Sequence, residues 1–179
     1  EPHHPKRKWM MLIKDLNKKS LEDIENEQWT RKNRRYANLS DELFLPTDNS
    51  KEDFNNHKPQ IYLFLDVSGS CKDAGARFWR AFQSIPKRYF DVQAFAFATQ
   101  VIKADPLVIP IGGGTDFHCM EQFLWKQKRY PEAVWVFTDG QDAVFPCRHP
   151  KRWSWFLLPQ GTKKHIPAGS KIYKLEDFE

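Results

Sequence analysis

The sequence predicts an α/β fold: a doubly wound, mostly parallel open sheet with one short antiparallel edge strand and a polar N-terminal extension. Three observations predict it. From Gln60 onward, apolar runs of strand length alternate with segments of helical spacing, the order expected of a parallel sheet with crossover helices. The first run, Ile61-Tyr62-Leu63-Phe64-Leu65, is apolar without interruption, as suits a strand covered on both faces. Two such runs also end in short polar loops that carry a carboxylate, Asp66-Val67-Ser68-Gly69-Ser70 and Thr138-Asp139-Gly140. In open α/β sheets ligands sit outside the carboxyl ends of the strands, where the strand order reverses.

Residues 1–58 are polar and charge-rich and read as an extension or docking arm; residues 59–179 read as the domain proper. Within the arm, Ser20 followed by Asp23 resembles a capping box opening a short helix through Leu21 and Ile24. Leu43-Phe44-Leu45-Pro46 suits a brief edge strand, and residues 47–58 form a polar connection rich in turn residues. In the domain, residues 73–85 carry Phe78, Trp79, Phe82 and Ile85 at helical spacing, and Pro86 ends the run. Residues 92–99 alternate as a strand, and 100–103 return as its antiparallel hairpin partner. Residues 117–128 read as a helix with Met120, Phe123 and Leu124 inward. Three more strands follow at 133–137, 153–158 and 171–175. The segment 141–150 contains Pro146 and Pro150, so no full helix is expected there, and one sheet face is expected to be thinly covered. Trp125, Trp135, Trp153 and Trp155 read as core aromatics.

A length of 179 residues suits one domain plus an extension, and 40% hydrophobic with 15% aromatic content is that of a globular chain. The charge of +5 arises from 28 basic against 23 acidic residues, a spread balance that does not by itself indicate nucleic-acid binding. No apolar run approaches the ~20 residues of a membrane-spanning helix, and no secretory signal opens the chain. The 3 cysteines, Cys71, Cys119 and Cys147, are odd in number and lack C-x-x-C spacing, which favours a reducing, cytoplasmic setting. Glu1 rather than Met opens the sequence, as in a fragment or processed chain.

Asp66-Val67-Ser68-Gly69-Ser70, then Gly112-Gly113-Gly114-Thr115-Asp116, then Thr138-Asp139-Gly140 together resemble the metal-ion-dependent adhesion site of von Willebrand factor A (VWA) domains. The resemblance implies a site for Mg2+ or Mn2+ built from Asp66, Ser68, Ser70, Thr115 and Asp139. Ser68 and Ser70 would coordinate directly, Thr115 would do so in the ligand-ready state, and Asp66 and Asp139 would act through metal-bound water. Magnesium takes oxygen ligands in near-octahedral geometry and keeps several waters. Neutral hydroxyls would leave its charge uncancelled, so that an open position favours an Asp or Glu of a protein partner. The three glycines before Thr115 permit a tight turn.

A closer resemblance runs over residues 29–175. Trp29-Thr30-Arg31-Lys32-Asn33-Arg34-Arg35-Tyr36 with Leu45-Pro46, the segments around Thr115 and Asp139, and Trp153-Ser154-Trp155-Phe156-Leu157-Leu158 leading to Pro167-Ala168-Gly169 are similar to the VWA-like domain of bacterial predicted metallopeptidases. That likeness implies an adaptor or subunit in a bacterial or phage assembly, with an AAA+ ATPase as a plausible partner. The alternative it implies is the C-terminal specificity domain of a metallopeptidase whose catalytic half lies elsewhere. The H-E-x-x-H zinc helix of that half is absent from this sequence. No aspartyl-phosphate pattern, nucleophile elbow, P-loop or obvious general base is present either, so no intrinsic catalysis is expected of this chain. Cys71, Cys119 and His118 flank the metal motif but fit no zinc spacing. Arg31-Lys32-Asn33-Arg34-Arg35, between Trp29 and Tyr36, is the strongest nucleic-acid motif in the sequence, although docking on the domain is the favoured role. Lys151-Arg152 with Lys163-Lys164 read as a solvated face.

Overall fold

A computed structural model describes residues 8–12, 14–16, 58–104 and 113–178. The helix after Ser20, the strand at Leu43–Leu45, the strip Arg31–Arg35 and Gly112 lie outside the described residues.

The architecture is a mixed six-stranded sheet, mostly parallel, combined with helices. Its strands are β1 (Gln60–Asp66), β2 (Asp91–Phe97), β3 (Val101–Lys103), β4 (Ala133–Thr138), β5 (Trp153–Leu157) and β6 (Lys171–Lys174), with helices α1 (Gly75–Ser84) and α2 (His118–Trp125). The order across the sheet is β3-β2-β1-β4-β5-β6. Every neighbouring pair is parallel except β2–β3, where Phe97 opposes Val101 and Phe95 opposes Lys103. The antiparallel return strand expected after residue 99 is therefore present, and it occupies an edge. The order reverses between β1 and β4: from β1 the chain moves one way to β2, then comes back to lay β4 on the other side.

β1 and β4 are buried along essentially their whole length, as central parallel strands with covered faces must be. Alternation assigns their side chains to opposite faces. Ile61, Leu63 and Leu65 join Trp135 and Phe137 in one core cluster with Phe78, Ala81 and Phe82 of α1. Tyr62 and Phe64 join Val134 and Val136 in the other, with Met120 and Leu124 of α2. α1 starts later than the spacing suggests, because Gly69–Ala74 forms a 3-10 turn first. α2 is shorter than expected and ends at Trp125.

Two features fill gaps that the sequence left open. Residues 8–12 and 14–16 are helical, and Trp9 is fully buried in the α1-side cluster. Its ring stacks on Trp135 at 5.0 Å and meets Phe178 edge-on at 4.6 Å, while its Nε1 donates to Ser84 Oγ at 2.8 Å. On the other face the segment 141–149 has no helix, as expected, yet the face is not bare. Phe145 is buried there against Phe117, Trp153 and Trp155, with centroids 6.0, 5.5 and 6.1 Å away. Trp135, Trp153 and Trp155 are core residues as expected, but Trp125 is not: it is 61% exposed, because α2 turns it outward at its last residue. None of the described helices is long and apolar enough to cross a membrane.

Candidate metal centre

The site lies where the strand order reverses. β1 ends at Asp66 and its neighbour β4 ends at Thr138, with Asp139 next. Both carboxylates are nearly inaccessible, Asp66 at 1% and Asp139 at 2%. Asp66 Oδ1 accepts the Ser68 backbone N–H at 2.9 Å, which folds the loop back on itself in an Asx turn. Asp66 Oδ2 accepts the Thr138 hydroxyl at 2.5 Å, and that hydroxyl in turn accepts Gly140 N–H at 3.0 Å. Thr138 therefore ties the two strand ends together through their polar groups. Asp139 Oδ1 accepts Gln141 N–H at 3.0 Å.

Ser68 is buried and Ser70 exposed, and their hydroxyl oxygens stand 3.2 Å apart. The 3-10 turn is what brings them together: Cys71 N–H donates to Ser68 O at 3.0 Å, curling the chain so that side chains two apart meet. Thr115 is half-buried in the loop before α2. That loop reaches the site by backbone contact, since Gly69 N–H donates to Gly113 O at 3.4 Å and Asp116 N–H to Ala98 O at 2.9 Å. Gly113 has φ +111°, a conformation that favours glycine, so the turn expected of the glycine run is made there. α2 begins directly after it, with Phe117 N–H donating to Asp142 Oδ2 and His118 N–H to Asp116 Oδ1.

The loop after β4 is held by contacts that exclude any side chain. Gly140 has φ +75°, and a Cβ there would stand 2.1 Å from the Thr162 carbonyl oxygen. A Cβ on Gly161 would stand 2.9 Å from the Asp139 carbonyl oxygen, which itself accepts Thr162 N–H at 2.8 Å.

Burial is the dominant influence on Asp66, raising its carboxyl above the ordinary value; the hydrogen bonds from Ser68 and Thr138 oppose this, and the charge of Asp139 adds to it. Two acids held this close in a dry site repel one another, and a bound cation relieves that repulsion. The donor set fits a hard divalent cation: buried carboxylates with paired hydroxyls beside them. Both oxygens of Asp66 already accept protein hydrogen bonds, an arrangement suited to a carboxylate that acts on a metal through water.

Two members of the group go beyond the five motif residues: Cys71, set aside above for its spacing, and Thr138. Cys71 lies within 4.8 Å of both carboxylates when ligand atoms are compared, completing a buried Asp66–Cys71–Asp139 group. Burial and the adjacent acids push its thiol up to about 12, so the sulfur is a neutral thiol. Its position directly after Ser70 was the available signal. Thr138 stands in the motif segment with no expected role, yet its hydroxyl donates to Asp66. His118 is exposed, and Cys119 turns its Sγ toward Ala98 O at 3.9 Å, so neither joins the group.

No protein-family model matches this chain, and no curated protein matches it significantly.

Proposed function

We propose that this chain is a metal-dependent protein-binding module of VWA-like, doubly wound architecture, an adaptor or subunit that captures an acidic residue of a partner through a divalent cation. The observation that carries the reading is the convergence of the Asp66 and Asp139 carboxylates at adjacent strand ends, with the Ser68 and Ser70 hydroxyls curled beside them. Asp66, Ser68, Ser70, Thr115 and Asp139 would hold Mg2+ or Mn2+. The cation would supply positive charge for a partner's Asp or Glu. The chain's own part is to hold the two serine hydroxyls in register, to keep the acids apart from bulk water, and to carry Thr115 on a loop pinned to Gly69. An AAA+ ATPase of a bacterial or phage assembly, in the cytoplasm, is the kind of partner this reading favours.

Calorimetric titration with magnesium and manganese tests the site. Asp66→Ala should abolish the binding heat while thermal melting stays cooperative; undiminished heat in the variant would sink the assignment. A pull-down then tests the role: a partner retained in magnesium should be released by chelator and lost with Thr115→Ala.

A further inference from the structure

At the end of the sheet opposite the acidic loops, the geometry points to a binding surface for single-stranded nucleic acid, formed by the end of α2 and the loop before β5. Trp125, Lys126, Lys128 and Arg129 precede β4, and Arg148 precedes β5; all five are exposed. β4 and β5 are adjacent and parallel, so their amino ends bring these segments side by side, with Val134 opposite Trp153. Strands of this length separate the surface from the metal centre by roughly 20 Å, and the inference does not depend on the metal reading.

The centre of the surface is rigid. Trp125 is 61% exposed, yet its Nε1 donates to Glu121 Oε1 at 3.1 Å. Glu121 is buried, and it also accepts Tyr130 OH and Arg148 N–H, each at 3.1 Å. One inward-facing carboxylate therefore fixes both the indole and the backbone that carries Arg148. The Arg148 guanidinium lies 4.6 Å from the centre of the Trp125 ring, while His149 meets Tyr130 edge-on at 4.8 Å. A flat, cationic, preorganised platform of this kind stacks a base at little entropic cost, and the flanking lysines suit phosphates. The local acid Glu132 faces Arg129 at 4.0 Å, in a pair whose arginine is 77% exposed and so contributes little against a polyanion. A lipid surface suits this arrangement less well, because Trp125 is tethered by its ring nitrogen and cannot project into an apolar layer. Single strands are favoured over duplex because a stacking platform needs an unstacked base.

Fluorescence anisotropy of the full chain with fluorescein-labelled oligo-dT and oligo-U, each about 12 nucleotides long to span one such site, tests the proposal. Saturable binding is expected in about 50 mM KCl, weakening steeply by about 200 mM. Lys126→Glu with Lys128→Glu should weaken it at least tenfold and flatten the salt slope by about 0.7 for each phosphate no longer neutralised. Trp125→Ala should weaken binding with the slope unchanged; Trp125→Phe, which keeps a ring, should retain most of it and guards against a simple folding defect. Asp66→Ala should bind as the parent does. Absence of binding at the lower salt, indifference to the charge reversal, or preference for phosphatidylserine vesicles would each overturn the proposal. So would loss of binding on Arg34→Ala with Arg35→Ala while the charge-reversed chain still binds.

Discussion

At the carboxyl end of the sheet, Asp66 and Asp139 are 1% and 2% exposed, and the loops that hold them touch backbone to backbone. At the amino end, Trp125 is 61% exposed and the charged groups stand in solvent, with a single buried carboxylate, Glu121, organising them from beneath. Both ends are polar, but one gathers negative charge and screens it from water, whereas the other displays positive charge to water. Buried like charges are costly without a counterion, while exposed like charges are largely screened. The difference teaches that the acidic end holds its charge where water cannot relieve it, and that its loops are constrained accordingly. Substitutions there should cost stability even when they leave charge untouched. Surface substitutions at the basic end should change binding with little effect on folding.

The largest expected effect comes from Gly140→Ala. The added methyl carbon would meet the Thr162 carbonyl oxygen at 2.1 Å, and φ +75° is unfavourable for alanine even with space. A loss on the order of 4 kcal/mol is expected by chemical denaturation. A loss below about 1 kcal/mol would mean that the loop after β4 yields easily, and the contrast between the two ends would then vanish.

Next is Glu121→Ala, which strikes the buried carboxylate beneath the basic end. It strands the Tyr130 hydroxyl and the Arg148 backbone N–H beside the Trp125 ring nitrogen. Trp125 can turn to water, but Tyr130 is half-buried and also accepts Trp153 Nε1 at 2.8 Å. A loss of about 2–3 kcal/mol is expected from unsatisfied buried groups, and Glu121→Gln should recover part of it, since an amide oxygen still accepts. Equal melting of parent and Glu121→Ala chains would show that the amino end is not held from below.

The two ends also differ in how much the sequence discloses. The acidic end was legible because its determinants are local: Asp66, Ser68 and Ser70 lie within five residues, and the apolar runs before Asp66 and Asp139 announce their strands. The alternation of elements gave the mostly parallel sheet and its antiparallel edge for the same reason. What could not be read were contacts between distant segments. Cys71 joins the carboxylates only because a 3-10 turn precedes α1, and Thr138 matters only through Asp66. Trp125 has the composition of a core residue, and its exposure depends on where α2 stops. Its tether to Glu121 at i−4 is a helical spacing that could have been noticed. Trp9, Leu12 and Leu16 likewise follow helical spacing, but their charged surroundings masked a helix that packs into the core. Phe145 fills the gap left by a missing helix with one side chain, and no periodicity announces a single residue.

The smallest expected effect concerns the thiols, and it distinguishes the ends by their acids. Cys119 is buried at the head of α2, where burial first, and then the charges of Asp116, Asp142 and Asp66, push its thiol from 9.0 up to about 12. Cys147, half-buried at the other end, is likewise pushed up to about 12, chiefly by burial with Glu121 as the charged neighbour. In the unfolded chain each thiol releases its proton near 9.0, whereas in the folded chain it keeps it until about 12. Between those values the folded state binds more protons, so stability falls as pH rises; below about 9 the thiols contribute no slope. For the buried Cys119 the slope should approach roughly 1 kcal/mol per pH unit. Denaturation midpoints of parent and Cys119→Ser chains, measured at intervals from about pH 8 to about pH 11, isolate that contribution from the lysines and tyrosines that titrate in the same range. Serine does not ionise there, so any cost of placing its hydroxyl in the core is a constant offset, and only the difference in slope reports on the thiol. The two curves should run parallel below about pH 9 and converge above it. Parallel curves throughout would mean that Cys119 ionises as freely folded as unfolded, and that the acidic end is wetter than its burial indicates.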